Sequence, residues 1–164
     1  MRCEWPQGAS PGRLLLGPPG REACFELRAE LVALHGPRPR GQAERALLLL
    51  PDAQLEVLRA GDVAPGEARR RGPVYSQAPA GVLAVPTGRV FLVLAEPALE
   101  PGFAQELARR GLRPLAPGAP APGTLWIEPE SGRIEDGLAA LDALKAMPGV
   151  RNAEPELVRE AQRR

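Results

Sequence analysis

Val90-Phe91-Leu92-Val93-Leu94, Phe103-Ala104-Gln105-Glu106-Leu107-Ala108-Arg109-Arg110-Gly111, Leu112-Arg113-Pro114-Leu115 and Thr124-Leu125-Trp126-Ile127-Glu128 succeed one another within Arg89 to Glu156, ahead of Ile134 to Met147 and Pro148-Gly149-Val150. The first run is apolar throughout, which predicts a strand inside a sheet covered on at least one face. Pro101 suits a first helical turn, Phe103, Leu107 and Ala108 form a stripe, and Gly111 follows Arg109-Arg110 as a C-terminal cap, so a short helix is predicted. Leu112 to Leu115 returns as a strand, and Thr124 to Glu128, with Thr, Trp and Ile, supplies a third. Ile134, Leu138, Leu141 and Leu144 fall on one face of a second helix, with Glu135 and Asp136 placed favourably in its first turn. Pro148-Gly149 stops that helix, and Val150 to Val158 gives a last strand. Pro155 lacks an amide donor and puts this strand at an edge, or ends it.

The resulting βαββαβ order is the split-βαβ, ferredoxin-like arrangement. Outward from it, the fold class is α+β: a ferredoxin-like unit at 87–164, a small, mainly β region at 21–86, and an extended or mobile lead-in at 1–20, broken by eight prolines and glycines from Pro6 to Gly20. Cys24 to Leu34 fits two templates. Phe25, Leu27, Ala29, Leu31 and Ala33 alternate as in a half-buried strand, while Leu27, Leu31 and Leu34 are spaced for a helix stopped by Gly36-Pro37. The strand is preferred because the next segments of the chain have β character. Ala46 to Leu50, the turn residues Pro51 to Gln54, and Leu55 to Arg59 carry a hairpin signature. Val63 to Gly88 is loop-rich, with short extended pieces at Val74-Tyr75 and Val82 to Val85. Its run Arg69-Arg70-Arg71 reads as a solvated loop rather than a docking patch for an acidic partner. The boundary between the halves falls around Pro86-Thr87-Gly88.

Composition narrows the function classes. A chain of 164 residues with 44% apolar content can bury one ordinary core or two small ones. A net charge of +1 gives no field to gather nucleic acid or an anionic membrane, and 4% aromatics leaves little for base stacking. Neither partner is therefore expected. No long apolar segment reads as a signal peptide or a membrane span, so a cytoplasmic location is the default. The 20 prolines and the single lysine among 21 basic residues fit a GC-rich genome and a thermophile. Cys3 and Cys24 are too few for a disulfide scaffold and read as free thiols. A zinc site from Cys3, Cys24 and His35 would lack a fourth ligand and the usual spacing.

Nothing in the sequence reads as a catalytic, cofactor or metal site. Ser10, Ser76 and Ser131 lie in no nucleophile elbow, and His35 before Gly36-Pro37 reads as a turn residue. No phosphate-binding glycine motif is present. Glu128 with Glu130, and Glu135 with Asp136, read as a solvated turn and a helix-dipole match rather than acid/base pairs. Binding rather than chemistry is therefore expected.

Arg89 to Val93, Gly111 to Leu115, Leu125 to Ile127, the leucine-spaced helix and above all Pro148-Gly149-Val150-Arg151-Asn152-Ala153-Glu154-Pro155 resemble the propeptide domain of subtilisin-like serine proteases. The resemblance covers about half the chain. It implies a ferredoxin-like module that packs its sheet on a subtilisin-like protease, guides its folding, and lays its tail through the substrate cleft as a slow substrate. On this sequence that tail begins with Glu156, Leu157, Val158, Arg159, Glu160 and Ala161, an extended segment able to pair by β-augmentation. The competing reading of the same residues is a frayed polar terminus after Val158. The 164 residues include no protease domain, and the N-terminal half has no counterpart in the propeptide. The alternative function is a structural or protein-interaction module, a homodimer joined through an unpaired sheet face or edge.

Overall fold

The computed structural model describes residues 12–17, 20–39, 46–50, 54–96, 102–115 and 121–159. The protein is strand-rich and mixes α with β. It forms two compact units, one holding the described residues up to Pro86 with those from Leu157 onward, the other Thr87–Glu156. No helix among the described residues is long and apolar enough to cross a membrane.

In the first unit, β1 (Arg13–Leu16), β2 (Ala23–Leu27), β7 (Tyr75–Gln77) and the first part of β8 (Val82–Leu94) pair antiparallel in that order, with Leu14 opposite Phe25, Phe25 opposite Gln77 and Tyr75 opposite Ala84. A separate sheet has the order β4 (Leu48–Leu50), β5 (Leu55–Arg59), β3 (Leu31–His35), β6 (Arg70–Gly72). Ala33, Leu48, Leu55, Val57, Val74 and Val85 cluster as this unit's core. The β4/β5 hairpin lies where the sequence puts it, with Leu48 opposite Val57 and Leu50 opposite Leu55, while the turn residues 51–53 fall outside the described set.

Several expectations for this half need correction. Cys24 to Leu34 is neither one strand nor a helix. The chain leaves the first sheet at Leu27, turns through Ala29-Glu30 with the Leu31 N–H donating to the Arg28 carbonyl, and enters the second sheet at Leu31. Alternation persists through such a turn, so the pattern alone cannot show a change of sheet. Arg70 and Arg71 belong to β6, and the Arg69 side chain is buried rather than solvated, because two carboxylates lie within its reach. Cys24 is disulfide-bonded and buried, not a free thiol, which also removes it from any zinc set. The other cysteine, Cys3, lies outside the described residues. Finally, β8 runs unbroken through Pro86-Thr87-Gly88. Its ladder to β7 ends at Ala84 and its ladder to β10 begins at Val90, so Pro86 falls between the two and its missing N–H interrupts neither.

In the second unit, α1 (Phe103–Arg109), β9 (Leu112–Pro114), β10 (Thr124–Pro129), α2 (Ile134–Ala139), α3 (Leu141–Lys145) and β11 (Val150–Arg159) come after β8. The strand order is β11-β8-β10-β9, with Val90 opposite Ile127, Leu92 opposite Leu125 and Leu112 opposite Pro129. Val90, Leu92, Leu94, Leu112, Ile127 and Ala153 from the strands form one core cluster with Phe103, Leu107, Leu141, Leu144 and Met147. The helices among the described residues therefore pack on the same face of the sheet. Gly111, with φ 67°, closes α1 by donating its N–H to the Ala108 carbonyl.

The expected single helix from Ile134 to Met147 comes as two pieces. Ala140 between them keeps right-handed helical angles, and the Leu144 N–H still reaches its carbonyl. Pro155 does not end β11. The strand pairs with β8 at the end of the order, and a missing donor on such an outer strand is tolerated.

Candidate functional site

Two places in the molecule combine specific side chains with a surface, one in each unit. The first is a cleft of about 520 Å³ between the end of β3 and the loop before β6, lined by His35, Gly36, Pro37, Pro39 and residues 64–70. β5 buries Leu55, Glu56, Val57 and Leu58 in succession, so the Glu56 carboxylate is carried inward with its apolar neighbours. Arg69 meets it. Its Nη1 donates to Glu56 Oε2 at 2.8 Å, while its Nη2 and Nε donate to the two oxygens of Glu67 at 2.8 and 3.1 Å. Arg38 adds a looser contact to Glu56 at 3.8 Å. The Arg69 side chain is only 8% exposed and that of Glu56 3%. Hydrogen bonding to Glu67 is the main reason that the guanidinium pKa is raised further, with Glu56 adding to it.

His35 stands opposite Arg70 in the β3/β6 ladder. Its Nε2 is buried and has no hydrogen-bond partner among the described residues. Burial first, and the Arg70 charge second, push the imidazole pKa down to about 4 from an ordinary 6.5. Between those pH values the unfolded chain binds a proton that the folded chain refuses, so stability falls as pH drops through that window. With part of the ring reached by solvent, the effect is on the order of 1–2 kcal/mol. Urea unfolding at pH 7 and pH 4.5 should show this loss in the native protein, and a correspondingly smaller one in His35→Gln.

The second place is the sheet of the second unit, on the face away from its helices. Alternation sends Val90, Leu92 and Ile127 into the core, and Phe91, Val93 and Trp126 the other way. Phe91 and Trp126 are direct cross-strand partners, their rings 4.9 Å apart and tilted by 51°. Such a pair contributes about 0.5–1.5 kcal/mol beyond its buried area. Polar groups flank it: Arg113 Nη2 donates to Glu128 Oε1 at 2.7 Å, and Asn152 Nδ2 donates to Glu154 Oε1 at 3.0 Å. An apolar aromatic centre with a paired polar surround is the composition of a protein interface.

The residues proposed from sequence as a partner-binding tail start inside β11. Glu156 accepts from the Thr87 hydroxyl at 2.6 Å, and Leu157 and Val158 are half-buried. Arg159 places its guanidinium 4.9 Å from the centre of the Phe25 ring and donates to Gln77 Oε1 at 3.2 Å. Glu160 and Ala161 lie outside the described residues. An exposed cation on a ring is worth about 0.5–1 kcal/mol. Arg159→Ala should therefore lower stability by about that amount in urea unfolding.

The carboxylate pairs noted in the sequence have structural partners. Glu128 is held by Arg113, and Asp136 accepts from the Ser131 hydroxyl at 2.6 Å. Among the described residues no group of three or more His, Cys, Asp or Glu side chains is arranged to hold a metal. Sequence reasoning read Phe91 and Trp126 only as strand formers and did not single out Glu56 or Glu67. For the aromatic pair the available signal was the register between two predicted strands. For the carboxylates there was none, since an eleven-residue separation carries no periodic mark. Comparison with protein-family models, with curated proteins and with solved structures returns no match for this chain.

Proposed function

We propose that the protein is a non-catalytic binding module whose second unit is a ferredoxin-like domain of the subtilase-propeptide kind, and that its partner is a subtilisin-like protease. The observation that carries this reading is the sheet face centred on Phe91 and Trp126, opposite the face that holds the unit's described helices. The order β11-β8-β10-β9 and the Pro148-Gly149 turn leading directly into β11 support the same reading. The aromatic pair anchors the partner, and the segment after Arg159 enters the protease cleft as an added strand. The Cys24 disulfide favours action in an oxidising compartment over the cytoplasmic default.

The test is a titration of the purified protein against a subtilisin-type protease. The intact chain should inhibit. Trp126→Ala should bind about tenfold or more weakly, with urea unfolding run beside it to confirm that the variant is folded. A chain shortened after Arg159 keeps all of β11 and should bind without inhibiting. Absence of binding by the intact protein would sink the proposal.

A second reading, self-association, rests on a different observation. The outer strand β4 and its approach expose Leu47 and Leu49, 53% and 44% accessible. Among the described residues β4 ends the strand order, and a sheet edge carrying exposed leucines is a template for a second copy. Light scattering across a concentration series tests it: a dimer abolished by Leu49→Lys supports it, and a monomer throughout excludes it.

A further inference from the structure

We propose that Arg159 is the positioning residue of the inhibitory tail: it fastens the end of β11 to the first unit, so that the chain beyond it leaves from a fixed point. This role rests on the protease-binding reading. Leu157 to Arg159, the last residues of β11, belong to the first unit, and Leu157 and Val158 are half-buried. Arg159 then grips a single rung of that unit's sheet. Phe25 and Gln77 are direct partners in the β2/β7 ladder, and the guanidinium meets both. It lies 4.9 Å from the centre of the Phe25 ring, and its Nη1 donates to Gln77 Oε1 at 3.2 Å. Phe25 is fully buried, so packing holds the ring in place beneath the cation.

A polar chain end frays unless something ties it down. Here one side chain supplies two different ties: attraction to a ring face sets where the guanidinium sits, and a directed hydrogen bond sets how it is turned. Ordering β11 as far as Arg159 before any partner arrives removes part of the ordering cost that binding would otherwise carry. It also shortens the free chain between the two binding elements, the Phe91–Trp126 face and the tail. A shorter free length raises the effective concentration of the second element once the first has docked. Docking on the sheet face needs none of this, so Arg159 acts on inhibition and not on docking.

The test separates the two steps in the full chain. Docking is the Kd for a subtilisin-type protease whose cleft is filled by a covalent peptide inhibitor, and inhibition is the Ki for the active protease. Arg159 is exposed, so Arg159→Ala leaves the core intact; it should raise Ki about tenfold and leave Kd unchanged. Arg159→Lys keeps a cation over the ring and should restore most of that loss. Gln77→Leu removes the acceptor from the other side and should raise Ki about threefold. In the free protein, nuclear magnetic relaxation of the Leu157 to Arg159 amides should show an ordered backbone, loosened in Arg159→Ala and restored in Arg159→Lys. A native chain that neither docks nor inhibits removes the protease reading, and the relaxation then decides by itself whether Arg159 fastens β11. Equal losses of docking and inhibition in Arg159→Ala, an unchanged Ki, or an end of β11 as ordered in Arg159→Ala as in the native chain would overturn the proposal.

Discussion

Glu56→Ala is expected to destabilise the protein by about 3 kcal/mol, a large share of the stability of a domain this size. The cost comes from what is left behind. Arg69 remains enclosed, its side chain 8% exposed, with the Glu56 carboxylate gone and a void where that side chain had been. Glu67 still holds two of its nitrogens, which keeps the loss toward the lower end for a broken buried pair. Glu56→Gln keeps the shape and an accepting oxygen and should lose less. Replacing Arg69 by methionine in the Glu56→Gln background strands the enclosed Glu67 carboxylate, its side chain 4% exposed, and should cost further stability. Urea unfolding of the single and double variants checks all three statements. Equal stability of Glu56→Ala and the native protein would mean that the buried charge chain is not formed.

Gly137→Ala should cost about 2–3 kcal/mol, although alanine in a helix normally gains about 1 kcal/mol over glycine. A Cβ at position 137 would sit 2.4 Å from the Gly88 carbonyl oxygen and 3.2 Å from its carbon, both backbone atoms of β8. Neither can swing aside as a side chain would, so α2 must lift from the strand and pull Ile134, fully buried, with it. Gly88 is constrained from the other direction: its φ is +94°, and a Cβ there would meet the Ile134 Cα at 3.2 Å. Ala139, exposed on the same helix, serves as the control, where Ala139→Gly should cost only about 1 kcal/mol. Thermal or urea unfolding distinguishes the two, and a stabilising Gly137→Ala would contradict the close approach of helix and strand.

Which features were legible in the sequence depends on the range of the forces involved. Phe103 with Leu107, the Gly111 cap, the Pro148-Gly149 stop and the alternation of β8 and β10 are local marks, each spanning a few residues, and each element lies where those marks put it. The order of strands and helices in the second half was legible for the same reason. The break between β2 and β3 was not, because alternation is blind to which sheet a residue faces. Arg69 was misread because a run of three arginines looks solvated until a carboxylate thirteen residues earlier is brought beside it. The Cys24 disulfide was missed because two cysteines carry no spacing signal. As to function, the Phe91–Trp126 pair needed a register and the His35 cleft needed a sheet, neither of which periodicity supplies.

The binding proposal concentrates on one side chain, and the protein has only two tryptophans, Trp5 and Trp126. The most direct measurement is therefore the indole N–H resonance of Trp126, assigned with Trp126→Phe, as a subtilisin-type protease with a chemically blocked active site is added to the full chain. The account predicts a saturable shift or broadening of that resonance while the His35 imidazole is unaffected. A Trp126 indole that stays unchanged at saturating protease would contradict it.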